Sequence, residues 1–277
     1  TGSLGTALAL HLLKAGHRVR VYARNEHGHQ KLEKVIPPEY HPCLSSLVGA
    51  VEDRPRLIRA MEGVDYCIHA AAMKVIPLAE YNPWECVQTN VIGTHLVASA
   101  CIDAGVRKAV LISTDKARAP STHYGATKLC AERLWLGSNR YLGAAPGIFS
   151  AVCYGNVWGS QGSVIPLWEK QAKDTGIISI TDPEMTRYHL TLDGAVALVL
   201  RTLSESKPGE LWIPKLPSYR LRDLAQAFLD VHHIMAPASV LGRRPAEKLH
   251  EDFITETESS MVKEQDDSRY ILTPGIV

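Results

Sequence analysis

The chain has 277 residues, more than most single domains, yet within the range of one α/β core carrying a smaller lobe. Its 30 basic and 29 acidic residues leave a formal charge of +1 with no block of like charge, which argues against a nucleic-acid or anionic-membrane surface. No apolar run approaches the ~18 residues of a membrane span and no signal-peptide pattern opens the chain, so a soluble, cytoplasmic protein is expected.

The opening Thr1-Gly2-Ser3-Leu4-Gly5-Thr6 reads as a glycine-rich turn entering a helix, on which Leu8, Leu12 and Leu13 share a face and Gly16 supplies the stop. A strand follows, with Val19 and Val21 alternating with Arg18 and Arg20. Together they form the second half of a βαβ nucleotide-binding unit, and a parallel sheet of this kind expects a further strand leading into Thr1.

Short apolar segments at 44–50, 65–70 and 108–113 then alternate with helical stretches at about 54–62 and 80–104. In the longer stretch Val87, Val91, Thr94, Ala98 and Cys101 recur at intervals of four and three, one continuous buried stripe. A helix over 124–136 and a strand over 147–154 continue the alternation, which predicts an α/β, Rossmann-like doubly wound parallel sheet.

Beyond Asn156 the rhythm is irregular: helices near 164–174, 193–204 and 220–231, strands at 177–181 and 210–213, and prolines at 208, 214, 217, 237 and 245. The expected division is a dinucleotide-binding domain over 1–156. Residues 157–277 then form mainly a substrate-binding lobe, with some segments returning to the sheet. The six cysteines (43, 67, 86, 101, 130 and 153) stand singly, as reduced core residues do.

Glycines at 2 and 5 let a backbone approach a pyrophosphate at a helix N-terminus, although two glycines three apart also fit an ordinary turn. About 20 residues on, where a dinucleotide fold reads the adenosine ribose, stand Arg24 and Asn25. A guanidinium there suits a 2′-phosphate, so NADP is favoured over NAD. Alanines 70, 71 and 72 leave room for a flat cofactor, and Lys74 follows as either a ligand contact or a surface lysine.

The most specific stretch is Leu111–Lys128. A core strand ends in Ser113-Thr114, Asp115 and Lys116 follow, and Tyr124 and Lys128 come four apart on a helix, hence on one face. A cation beside a phenol favours the phenolate, making Tyr124 a candidate base for an alcohol undergoing oxidation.

These residues resemble the extended short-chain dehydrogenases/reductases, and most nearly the configuration-inverting UDP-N-acetylglucosamine 4,6-dehydratases of polysaccharide biosynthesis, the type that opens the pseudaminic acid pathway. The carrying motifs are "HAAAMK", "AEYNPWECVQTNVIGT", "ISTDKA", "YGATKLCAE", "YGNVWGSQGSVIP", "MTRYHLTL" and "RRPAEKLHE". Thr-Asp-Lys discriminates best, because other sugar-nucleotide dehydratases usually place Glu at the third position and 4-epimerases usually lack the pair.

The resemblance implies roles. Tyr124, Thr114 and Lys128 would oxidise C4 of the sugar with NADP, Lys116 would take the C5 proton and Asp115 would protonate the departing 6-hydroxyl. Gly2, Ser3, Leu4, Gly5, Arg24, Asn25, Ala50, Val51, Ala70, Ala71, Lys74 and Ser113 would hold the cofactor together with Tyr124 and Lys128. Lys74, Asn156, Val164, Arg187, Arg244 and Glu247 would meet a UDP-sugar, and a homo-oligomer is expected. Where the family has Asp, Arg, Arg and an aromatic, this chain has Ala50, Cys153, Gln161 and His189; Met73 and Val75 also depart. None of these removes a catalytic residue. A UDP-hexose 4-epimerase, or a protein that merely senses NADP, is the alternative.

Overall fold

The computed structural model describes residues 1–160 and 162–274. The first half runs α1 (Ser3–Lys14), β1 (Val19–Ala23), α2 (Glu26–Val35), β2 (Leu44–Val48), α3 (Arg54–Met61) and β3 (Tyr66–His69). It continues through α4 (Ile76–Tyr81), α5 (Pro83–Val87), α6 (Gly93–Asp103), β4 (Lys108–Thr114), α7 (His123–Gly137) and β5 (Phe149–Tyr154). The second half holds β6 (Asn156–Val157), α8 (Val164–Thr175), β7 (Ser179–Ile180), β8 (Thr186–Leu190), α9 (Leu192–Glu205) and β9 (Leu211–Pro214). It ends with β10 (Ser218–Arg220), α10 (Leu221–Val231), β11 (Ser239–Val240), α11 (Glu256–Ser259), β12 (Val262–Asp266) and β13 (Arg269–Leu272). Among the described residues no helix is long and apolar enough to cross a membrane.

The central sheet has the order β12-β13-β9-β5-β4-β3, parallel from β3 to β9 and closed at one edge by the antiparallel hairpin β12–β13. Its inner strands are buried on both faces, Phe149–Tyr154 throughout, as a sheet covered by helices requires. β1 and β2 form a separate parallel pair. Their link to the main sheet is α1, whose Leu8 packs with Val110, Val152 and Trp212 while Ala9 and Leu13 pack with Leu32 and Ile36. β1 and β3 do not pair, and both line one cavity of about 1850 Å³.

Three differences from the sequence reading have local causes. The helix expected over 80–104 is broken by Pro83 after Asn82 and by a π-helical turn at Gln88–Ile92. Gly93 follows that turn against the Val51 side chain, where a Cβ would lie 2.6 Å from a Val51 methyl. α2 was not foreseen, and Asn25 caps it by accepting from Gly28 N at 3.2 Å. Of the strands after residue 157, β8, β10, β11 and the β12–β13 hairpin were likewise not foreseen.

Candidate active site

At the carboxyl end of β4 the chain makes a single 3-10 turn over Asp115–Ala117 before α7 begins, with Thr122 as its N-cap. Gly125 lets the two segments close up: a Cβ there would collide with the Lys116 carbonyl and meet Pro120 at 3.0 Å. Thr114, Lys116, Tyr124 and Lys128 thereby reach the same cavity wall.

Tyr124 and Lys128 are both buried. Burial pushes the Tyr124 phenol well above its ordinary range; a hydrogen bond with Thr114 opposes this and the Asp115 charge adds to it. Burial also holds the Lys128 ammonium down at about 8, against the upward pull of Glu132. Lys128 Nζ donates to Ile112 O at 2.7 Å. In this structure the dominant influence on the phenol is therefore burial.

Asp115 and Lys116 form a charged knot. Asp115 Oδ1 accepts from Thr114 Oγ1 (2.9 Å), Lys116 N (2.9 Å) and Lys116 Nζ (3.2 Å). On its other side Lys116 Nζ lies 3.3 Å from Glu251 Oε1. Burial lowers the Lys116 pKa, but Asp115 and Glu251 together raise it above the ordinary lysine value, with Arg187 opposing them. Glu251 was not singled out in the sequence; the motif "RRPAEKLHE" contains it, but nothing local marks the contact.

Behind the knot, Arg118 is wholly buried and binds Glu132, as well as Glu258 at 2.7 Å. Ser113 Oγ donates to Glu132 Oε2 at 2.6 Å, which ties the end of β4 to this network.

The cofactor candidates line one continuous cavity: Gly2, Ser3, Leu4, Gly5, Arg24, Asn25, Ala50, Val51, Ala70, Ala71, Lys74 and Ser113. Two observations fit an anionic dinucleotide. No side chain caps the N-terminus of α1 and no acidic residue stands in its first turn. A Cβ on Gly2 or Gly5 would meet nothing within 4 Å, so protein packing does not demand glycine there, whereas a backbone-hugging ligand does. Ala50 gives its carbonyl to the Tyr22 hydroxyl at 2.7 Å.

The substrate candidates Asn156, Val164, Arg187, Arg244 and Glu247 line the other end. Arg187 donates to Thr186 O (2.7 Å), Leu249 O (3.1 Å) and Lys248 O (3.0 Å), and lies 3.7 Å from Glu247. Asn156 hydrogen-bonds the Tyr219 phenol. His189 stands between Trp158 and Tyr219, with ring centroids 5.5 and 5.2 Å away, so it fills the place of an aromatic. Cys153 is buried among charged neighbours that include Arg118 and Glu132. Gln161 lies outside the described residues.

Comparison with known proteins agrees with this geometry. The model of a polysaccharide biosynthesis protein family matches residues 1–273. An uncharacterized membrane protein of Methanocaldococcus jannaschii is 40% identical over all of this chain and 84% of its own length. An inverting UDP-N-acetylglucosamine 4,6-dehydratase of Campylobacter jejuni is 38% identical, covering 100% of this chain and 81% of its own. A UDP-glucose 4-epimerase of Rickettsia conorii is 34% identical, covering 99% and 80%. The solved structure of Pen from Bacillus thuringiensis superposes with a TM-score of 0.94 at 36% identity, covering 98% of this chain and 86% of that one. The chain belongs to the polysaccharide biosynthesis protein family and carries its Rossmann-like short-chain dehydrogenase/reductase fold.

Proposed function

We propose that this chain is an NADP-dependent UDP-N-acetylglucosamine 4,6-dehydratase that inverts C5 and serves surface-glycan biosynthesis. The observation that carries the reading is the Asp115–Lys116 pair, 3.2 Å apart, whose Lys116 stands at the wall that Thr114 and Tyr124 share while Asp115 is buried directly behind it. Oxidation needs only Thr114, Tyr124 and Lys128. A charged acid–amine pair beside them has a use only if a proton must leave C5 and a hydroxyl must leave C6.

Residues 1–156 hold the dinucleotide, its pyrophosphate at the α1 N-terminus and its 2′-phosphate at Arg24; residues 157–277 mainly cover the UDP-sugar. When bound, the nicotinamide would supply a hydride acceptor for C4 and a hydride donor for C6. Tyr124 takes the C4-hydroxyl proton, and the Thr114 hydroxyl orients that oxygen. The resulting ketone acidifies C5, whose proton goes to Lys116, while Asp115 protonates the departing 6-hydroxyl. The proton that Tyr124 took is then returned at the opposite face of C5, which restores the tyrosine for the next turnover.

A 4-epimerase is the second reading, favoured by the 34% identity to an enzyme of that name. Mass spectrometry of UDP-N-acetylglucosamine incubated with the full chain separates the two. A product lighter by one water supports the dehydratase; an epimer of unchanged mass overturns it. Lys116→Ala should still oxidise C4 but stall before water loss, and full turnover in that variant would remove Lys116 from its role.

A further inference from the structure

Glu251 is a second carboxylate beside Lys116, one for which the scheme above has no use. It is 6% exposed and lines the cavity beside Lys116. Among the described residues its carboxylate has one polar contact, Lys116 Nζ at 3.3 Å; Oε2 is buried and makes no hydrogen bond. A carboxylate buried for stability alone is normally saturated, as Glu132 is by Arg118 and Ser113.

Its position is heavily determined. The segment leading to it is tied to β8 through Arg187, which binds Lys248 O and Leu249 O. It is tied to the loop before α7 through Lys248 Nζ on Arg118 O at 2.8 Å and Ser121 Oγ on Ala246 O at 2.7 Å.

Lys116 cannot act as a base until its ammonium loses a proton, and both neighbouring carboxylates resist that loss. We propose that Glu251 is the residue that takes this proton, a positioning residue for Lys116 that converts the ion pair into a neutral acid and amine when substrate excludes water. The inference rests on the dehydratase reading. An Nζ–H bond breaks and an O–H bond forms on Glu251. The freed amine lone pair takes the C5 proton and passes it across the 3.2 Å contact to the Asp115 carboxylate, which delivers it to the 6-hydroxyl. The C5–H electrons move into the C5–C6 bond, the hydroxyl departs as water, and Glu251 returns its proton to the amine. Exclusion of water favours the neutral pair because two separated charges lose their solvation.

The test compares Glu251→Gln and Glu251→Asp with wild type in the full chain, following C4 oxidation by reduced-nicotinamide absorbance and elimination by product mass. The groups facing Lys116 are Asp115 on its own turn, Glu251, Arg187 on β8 and Tyr219 on β10, and only Glu251 is altered. Wild-type elimination should vary little between about pH 6.5 and 8.5, because the proton stays within the pair. E251Q should oxidise C4 normally yet eliminate water about 100-fold more slowly at neutral pH. Its rate should climb about tenfold per pH unit, since the proton must now leave to solvent. E251D should recover part of the loss, and it carries the comparison if E251Q does not fold. E251Q eliminating within about threefold of wild type, or a loss equal at every pH, overturns the proposal. A wild-type chain that releases no water from the sugar nucleotide overturns the parent reading instead, and this inference with it.

Discussion

Lys128→Met should stabilise the protein while abolishing oxidation at C4. Lys128 is 4% exposed, and its burial holds the ammonium down at about 8 against an ordinary 10.5. At about 1.4 kcal/mol per pH unit, keeping that amine charged costs the folded chain roughly 3 kcal/mol at neutral pH. Methionine keeps most of the side-chain length but leaves the Ile112 carbonyl without its 2.7 Å donor, a loss of about 1 kcal/mol. The net gain is about 2 kcal/mol, or roughly 4–8 °C in Tm for a chain of this size.

The pH dependence provides the check. Below the folded pKa of about 8 the amine is protonated in both folded and unfolded chains, and the penalty is fully present. Between about 8 and 10.5 the unfolded chain binds a proton that the folded one does not, so wild-type stability rises with pH. The advantage of the variant should therefore shrink toward pH 10. Urea denaturation of both proteins near pH 7 and near pH 10 measures it. A variant no more stable at pH 7, or an advantage undiminished at pH 10, would refute the reasoning. The expected outcome is a conflict between stability and activity, in which a residue kept for catalysis burdens the fold.

Two further changes probe the support of the site and its cofactor. Arg118→Leu leaves Glu132 and Glu258 buried without their shared cation, and should lower the unfolding free energy by about 3–5 kcal/mol in the same denaturation assay; a loss below about 1 kcal/mol would mean that the network is dispensable. Arg24→Ala should weaken NADP binding at least about tenfold while leaving NAD within about twofold, and equal weakening of both would remove the 2′-phosphate contact.

The sheet was legible because its strands are short apolar runs separated by helical stripes, a pattern that burial on both faces imposes. What escaped notice was polar or tertiary in origin. α2 buries little beyond Gly28, His29 and Leu32, so its ten residues show no apolar stripe; its one local signal was the cap, Asn25, whose side chain the sequence reading had assigned to a ribose. β8, Thr-Arg-Tyr-His-Leu, carries two strand-favouring residues but no apolar alternation, and it is the flanking β6 and β10 that mark it as a strand. Thr114, Asp115, Lys116, Tyr124 and Lys128 could be picked out together because they lie within fifteen positions of one another. Glu251 could not, because only the folded chain brings it to Lys116.

Two lysines at one site are treated in opposite ways, and the difference divides the chemistry between the lobes. Lys128 lies on α7 against β4; burial alone sets its low pKa, and everything it needs belongs to the sheet and the helix packed on it. Lys116 keeps its proton through two carboxylates, and the second arrives on a segment pinned to β8 by Arg187 and to the β4–α7 loop by Lys248. On the proposed reading, hydride transfer uses Thr114, Tyr124 and Lys128 of the first lobe against a sugar that the second lobe covers, whereas elimination also calls on Glu251, which only the second lobe supplies.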